Sequence, residues 1–370
     1  MRNYASRALA SGPSHVSFME SDMNILAIDL GLTKSVACLL STQTNEHTFR
    51  TVPTNPEAFR QLIVETRAER VVFEVCTIGG WVRDLCEELG CPFEVANPSH
   101  EAWRWRNVKR KSDRLDALKL ARLSAMAQLP KVHVPARDVR EWRSLISYRH
   151  TLVRRRTRVK NHIRAVLIAH GIRLGSGMRG WTRETLDRLR MMASQAEPSA
   201  MWKFELGIEL DQLDALATAI TRTEERLDAI AGGRPGVALL RTIPGVGARL
   251  AELVVAMIDD PRRFPSSREV ASYAGLTPTQ YQSGDADRRG RISRQGNPLL
   301  RAMLVEVSWI GLRYNPTIRA LYERTCRKSM SRRKIAIVAV ARHLLVWAWA
   351  MLRNGTPWTP RPRQGVVTTG

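Results

Sequence analysis

Residues 24–96 carry the pattern that most narrows what this chain can fold into. The run NILAIDLGLTKSVACLLS holds two apolar, β-prone stretches broken at Gly31, which predicts a hairpin. A weaker strand is expected near 48–52, a helix at 57–67 and a strand at 70–75 (RVVFEV). A helix near 81–89 and a short strand at 92–96 complete the segment. Strands that alternate with helices after an initial antiparallel run predict an α/β domain with a mixed sheet. From Ser112 to Ala127 the pattern turns helical, with Leu115, Leu118, Ala121 and Ala125 on one expected face.

Beyond Pro135 the chain reads as almost wholly helical. Residues 137–164 contain ten Lys or Arg and only two acids, Asp138 and Glu141. That imbalance is too large for a helix held by its own ion pairs. Leu206, Leu213, Ile220 and Leu227 recur every seven residues, with Leu216 and Ile230 on the same face. This short coiled-coil signature fits a dimerisation arm and an intramolecular helix hairpin equally. The expected division is a flexible extension at 1–22, an α/β domain at 23–135, and a basic helix with a coiled-coil region at 136–235. A mainly helical, Gly/Pro-punctuated domain at 236–353 and a tail at 354–370 follow.

The charge explains the helices. The 370 residues carry 58 Lys and Arg against 35 Asp and Glu, a formal charge of +23. Such a surface repels itself unless it shares a polyanion, and nucleic acid is the usual one. Five cysteines (Cys38, Cys76, Cys86, Cys91 and Cys326) form no C-x-x-C pair and no zinc-spaced cluster, which predicts a reducing, cytoplasmic setting. The first 22 residues lack the apolar run of a signal peptide. Residues 335–352 approach membrane length, but Arg342 and His343 in their midst predict a buried core helix and no membrane partner.

Against this basic background the carboxylates at element ends stand out. Asp29 ends the first strand and Glu74 lies near the end of a later one. Asp113 and Asp116 are three apart at the start of a helix and share a face. Burying four acids together is prohibitive unless cations balance them. Oxygen-only ligation suits Mg²⁺ or Mn²⁺, and two such ions can clamp the attacking and leaving oxygens of a phosphodiester. Taken singly, Asp113 reads equally well as a helix N-cap and Asp116 as a solvated charge. The order strand-Asp, strand-Glu, helix Asp-x-x-Asp resembles the RuvC-like branch of the RNase H fold.

Residues 241–258 (RTIPGVGARLAELVVAMI) look like a helix-hairpin-helix motif. Gly245 and Gly247 would let backbone N–H groups approach a phosphate, with a simple Gly-rich helix junction as the plain alternative. Farther on, YAGLTPTQYQSGDADRRGRISRQGNPLLR places Ser283 before the cations Arg288, Arg289, Arg291 and Arg294. A serine in a mobile, positively charged loop can attack a phosphodiester while arginines stabilise the developing charge. Trp103, Arg104, Arg106, Lys109 and Arg110 interleave aromatic and cationic residues just before Asp113, a pattern suited to stacking on bases. Arg154, Arg155, Arg156 and Lys160 are placed to follow a phosphate backbone without reading its sequence.

Ala-Gly-Leu-x-Pro, then Ser-Gly, then the basic stretch ending in Gln-Gly-Asn together resemble one family. These are the DEDD insertion-sequence transposases related to the Piv-type DNA invertases, also called bridge recombinases. The resemblance runs from about residue 23 to about residue 353. It implies that Asp29, Glu74, Asp113 and Asp116 form the metal-binding tetrad and that Ser283 is the nucleophile, with Ser293 a distant second. It further implies donor and target DNA as substrates, a structured guide RNA, and assembly as a dimer to tetramer. Whether acids and serine would come from one chain or from partners is open in the sequence. Two other readings are a hydrolytic RuvC-like nuclease or Holliday-junction resolvase with Ser283 idle, and a non-catalytic nucleic-acid-binding protein.

Overall fold

A computed structural model describes residues 23–98, 112–195, 200–283 and 286–360, with side chains at 283–289 left aside. The chain divides into two compact units, 1–137 and 138–370.

The first unit runs β1 (Asn24–Asp29), β2 (Lys34–Ser41), β3 (His47–Pro53), α1 (Pro56–Glu65), β4 (Arg70–Glu74), α2 (Gly79–Glu88), β5 (Phe93–Ala96) and α3 (Asp113–Ala125). Its sheet has the order β3-β2-β1-β4-β5. β1 pairs antiparallel with β2 but parallel with β4, and β4 parallel with β5. The sheet is therefore mixed, as expected, and consistent with an RNase H-like domain. β1 is central, with Ile25, Leu26, Ala27 and Ile28 all buried, which is why it reads as continuously apolar. Edge strand β3 is mostly exposed and polar.

Alternation along the strands sorts the core into two layers. Leu26, Ile28, Val71 and Phe73 pack with Phe59 and Leu62 of α1 and Val82 and Leu85 of α2. Ile25, Ala27, Cys38 and Val72 pack instead with Ala117, Leu118, Leu120 and Ala121 of α3. Each buried Leu, Ile, Val or Phe among them contributes about 1.5–3 kcal/mol by leaving water, and the alanines less. The buried face of α3 is rotated from the expected one, since Leu115 is half exposed while Ala117 and Leu120 are buried.

The second unit comprises α4 (Arg137–Ala169), α5 (Arg183–Ser194), α6 (Met201–Gly232), α7 (Pro235–Arg241), α8 (Ala248–Ile258) and α9 (Ser267–Tyr273). Next come β6 (Pro278–Ser283), β7 (Ala286–Ile292), α10 (Pro298–Tyr314), α11 (Pro316–Cys326) and α12 (Arg333–Asn354). α4 and α6 lie against each other in opposite directions. Val159, Ile163 and Leu167 of α4 meet Leu206, Leu210 and Leu213 of α6, together with Leu189 of α5. Toward the other end, Arg149 pairs with Glu224. The heptad seam is thus covered within the chain, and the helix-hairpin reading describes it.

The larger core gathers α7 to α12 around Val340, Leu344 and Leu345 of α12. α12 with its preceding turn, Met330–Asn354, is long and apolar enough to cross a membrane, yet half of its most apolar window is buried in this unit. That is the packing expected of a core helix.

Candidate active site

The acids of the first unit owe their placement to strand pairing. Ile28 stands opposite Phe73 in the parallel β1–β4 ladder. Asp29 and Glu74 are the next residues on each strand, so they leave the sheet side by side at its carboxyl-terminal edge. Parallel neighbours lie about 4.8 Å apart. Alternation puts both on the face of Ala27 and Val72, the face that α3 covers. Each is half-buried.

α3 supplies the other two acids. Its N-cap is Ser112, whose hydroxyl accepts the N–H of Leu115, so Asp113 is not the cap and begins the first turn. Asp113 is exposed, whereas Asp116, one turn on, is half-buried. Both favour the positive end of the helix dipole. One turn further along the same face lies Lys119, which sequence reasoning passed over. Burial lowers its pKa, while the Asp116 and Glu74 carboxylates act in the opposite sense. Lys119 is thus within electrostatic reach of both Asp116 and Glu74. Its spacing of three from Asp116 was the available signal.

Among the described residues, no three His, Cys, Asp or Glu side chains converge closely enough to hold a metal ion. The donor chemistry still suits one kind of guest. Carboxylate oxygens, two at the sheet edge and two on the helix that covers that face, are donors that match a hard divalent cation rather than zinc or copper.

In the second unit Ser283 is not in a loop. It is the last residue of β6, paired with Ala286 in a two-stranded antiparallel hairpin. Arg288 and Arg289 lie on β7 opposite Tyr281 and Gln280, and Arg291 farther along β7 is exposed. Arg294 is exposed just beyond the hairpin, with a left-handed backbone at φ 57°. Ser293 is half-buried and gives its N–H to the Thr277 carbonyl, at the hairpin base.

The segment 241–258 begins at the last residue of α7 and forms the tight turn that leads into α8. Gly245 has φ +94°, and a Cβ there would stand 3.2 Å from the Cα of Gly311. Close packing on α10 therefore accounts for this glycine. Gly247 is the N-cap of α8, makes no side-chain cap hydrogen bond and is exposed, so no side chain at that position caps the first N–H groups of α8. On α4, Arg154 and Arg155 are exposed and Arg156 half-buried. Lys160 instead lies 4.8 Å from the centre of the Trp181 ring, where burial and the neighbouring Arg156 and Arg164 lower its pKa. Trp103, Arg104, Arg106, Lys109 and Arg110 lie outside the described residues.

Two family models match this chain. A transposase model of the IS110 DEDD type covers residues 26–171, which include all four acids. A second, the transposase IS116/IS110/IS902 family, covers residues 237–323, which include Ser283. The transposase for insertion sequence element IS1111A of Coxiella burnetii is 30% identical over 293 residues, covering 76% of this chain and 77% of the relative. The chain belongs to the IS110 transposase family.

A probable family 20 transposase of Pseudomonas aeruginosa is 27% identical over 346 residues, covering 91% of this transposase and all of the relative. A pilin gene-inverting protein of Moraxella lacunata is 31% identical over 125 residues, a third of this chain and 38% of that protein. Transposition cuts and joins DNA strands, so the substrate of this transposase is DNA.

Proposed function

We propose that this transposase is a Mg²⁺- or Mn²⁺-dependent DNA recombinase that moves an insertion sequence by serine chemistry, guided by a bridge RNA. The observation that carries the reading is the parallel β1–β4 register, which sets Asp29 beside Glu74 on the sheet face covered by the helix of Asp113 and Asp116. That arrangement supports a RuvC-like assignment for residues 23–135. The basic helical region 136–235 and the serine-bearing domain 236–353, with a helix-hairpin-helix at 241–258, complete the division. The guide RNA, the dimer to tetramer and the cytoplasmic setting rest on the family resemblance and the net charge of +23.

In the proposed reaction Asp29, Glu74, Asp113 and Asp116 hold the cation. A bound Mg²⁺ or Mn²⁺ supplies Lewis-acid stabilisation of charge on the phosphate oxygens. The Ser283 Oγ loses its proton to solvent and bonds to phosphorus as the bond to the leaving deoxyribose oxygen breaks; that oxygen takes up a proton. A deoxyribose hydroxyl of the partner strand then attacks the phosphoserine, its proton passing to solvent as the bond from phosphorus to the Ser283 oxygen breaks, and that oxygen takes up a proton to restore the hydroxyl. One phosphodiester is lost and one regained, so no high-energy cofactor is consumed. Arg288, Arg289, Arg291 and Arg294 offset phosphate charge near the serine, and Gly247, Arg154, Arg155 and Arg156 contact backbone.

The test is recovery of protein under denaturing conditions from cells that carry the gene with its flanking DNA, followed by sequencing of attached DNA. Wild type is expected to carry junction DNA, whereas Ser283→Ala and Asp29→Asn carry none. Adducts on Ser283→Ala would remove the serine assignment. Metal-dependent nicking without adducts in any variant would establish the hydrolytic nuclease instead.

A further inference from the structure

Beside the proposed nucleophile stands an aromatic side chain that the reading above leaves unused. Tyr281 is 68% exposed, and it belongs to none of the buried clusters of its unit. An exposed ring of that size on a small hairpin forgoes much apolar burial. Its surroundings show that the ring is supported rather than loose. Across the hairpin, a Cβ on Gly290 would stand 3.3 Å from Tyr281 Cε2 and 2.3 Å from Thr279 Oγ1. Any other residue at 290 would therefore displace the tyrosine ring, the threonine hydroxyl or the strand itself. The Thr279 hydroxyl donates to the Arg291 carbonyl at 3.0 Å and holds the two strands at this level. A glycine in mid-strand weakens the strand; here it is what lets the ring lie against β7.

Tyr281 and Ser283 are two residues apart on β6, so both residues belong to one face of the hairpin, about 6.6 Å apart along the strand. The backbone register pairs Arg288 with Tyr281. An aromatic next to cationic positions, open to solvent on one side, is suited to a nucleobase.

We propose that Tyr281 is a stacking platform for the DNA base next to the phosphate that Ser283 attacks, so that it positions the scissile nucleotide and helps choose the cut site. The proposal rests on the assignment of Ser283 as nucleophile and adds a positioning residue to it. The tyrosine acts through its ring face and not through its hydroxyl. Tyr281→Phe should therefore be close to wild type, whereas Tyr281→Ala should lose one base-stacking contact.

The experiment uses the full chain with its RNA and a DNA duplex bearing 5-iododeoxyuridine at the nucleotides flanking the mapped junction. In Ser283→Ala protein, where no strand is cut, irradiation should crosslink that nucleotide to Tyr281, as mapped by mass spectrometry. In Ser283-containing protein, Tyr281→Ala should raise the DNA concentration for half-maximal adduct formation on the order of tenfold and spread the cut over neighbouring phosphates. Tyr281→Phe should do neither, and Tyr281→Leu, which keeps an apolar contact with Gly290, should behave like Tyr281→Ala. Unchanged half-saturation and cut position in Tyr281→Ala would overturn the proposal. So would crosslinks that map only to other residues, or a crosslink to Tyr281 from iodouridine in the RNA instead. If Ser283→Ala forms adducts, the nucleophile assignment fails by itself, while the crosslink still decides whether Tyr281 holds a base.

Discussion

Replacing Glu252 with glutamine should make this transposase more stable at pH 8 and nearly unchanged at pH 4. Glu252 lies on α8 and is completely buried. Its only ion partner among the described residues is Arg249, at 3.2 Å, and Arg249 also pairs with Asp228. Neither carboxylate oxygen has a hydrogen bond among the described residues. Burial pushes its pKa up from 4.5 to about 7, against the pull of Arg249 and with the help of the Asp228 charge. The ionised form is therefore about 3 kcal/mol less favourable inside the protein than in an unfolded chain. Below pH 4.5 the carboxyl is protonated in both states and its ionisation costs nothing. Between 4.5 and 7 the folded state keeps a proton that the unfolded state has released, so stability falls as pH rises. Above 7 the full cost is present.

Glu252→Gln removes the charge and keeps the shape, but Arg249 loses one partner. The net gain at pH 8 should thus be about 1–3 kcal/mol. A unit the size of residues 138–370 shifts its melting temperature about 2–4 °C per kcal/mol. Thermal unfolding followed by tryptophan fluorescence from pH 4 to pH 8.5 reads the difference. Loss of stability at pH 8, or a gain independent of pH, would refute the reasoning, because either would mean that Glu252 is stabilised as a charge.

Leu206→Ala should cost about 2–5 kcal/mol, since the side chain is fully buried against α4 and α5. The loss should not depend on protein concentration, because the seam it occupies is closed within the chain; a melting temperature that falls on dilution only in the variant would argue otherwise. Arg154→Gln and Arg155→Gln should each lower the slope of log affinity for DNA against log salt by about 0.9 if the exposed guanidinium meets one phosphate. An unchanged slope in filter binding would remove α4 from the nucleic-acid surface.

Much of the first unit is legible in the chain itself. Strand alternation, apolar runs and helical spacing are local, so five strands and three helices could be placed to within a few residues between 24 and 127. The acids at the end of NILAID and near the end of RVVFEV are visible for the same reason: a charge at the close of an apolar run is a local anomaly. The helical character of the second unit and the buried nature of α12 followed equally from spacing and from Arg342 inside an apolar stretch.

Tertiary structure decided the rest, because the deciding contacts join residues far apart in sequence. Only the parallel pairing of β1 with β4, across forty-odd residues, puts Asp29 and Glu74 on one face. Ser112 rather than Asp113 caps α3, and the burial of Ala117 and Leu120 instead of Leu115 depends on which side of the sheet the helix meets. A heptad repeat is the same whether its partner is another chain or α4, and packing selected α4. Ser283 sits in a strand because β7 pairs with it, although its own neighbours Gly284 and Asp285 suggest a loop. Glu252 offers no warning in its local sequence. Arg249 is a neighbour on its own helix, whereas Asp228, Arg149 and Glu224 come to it only in the folded chain.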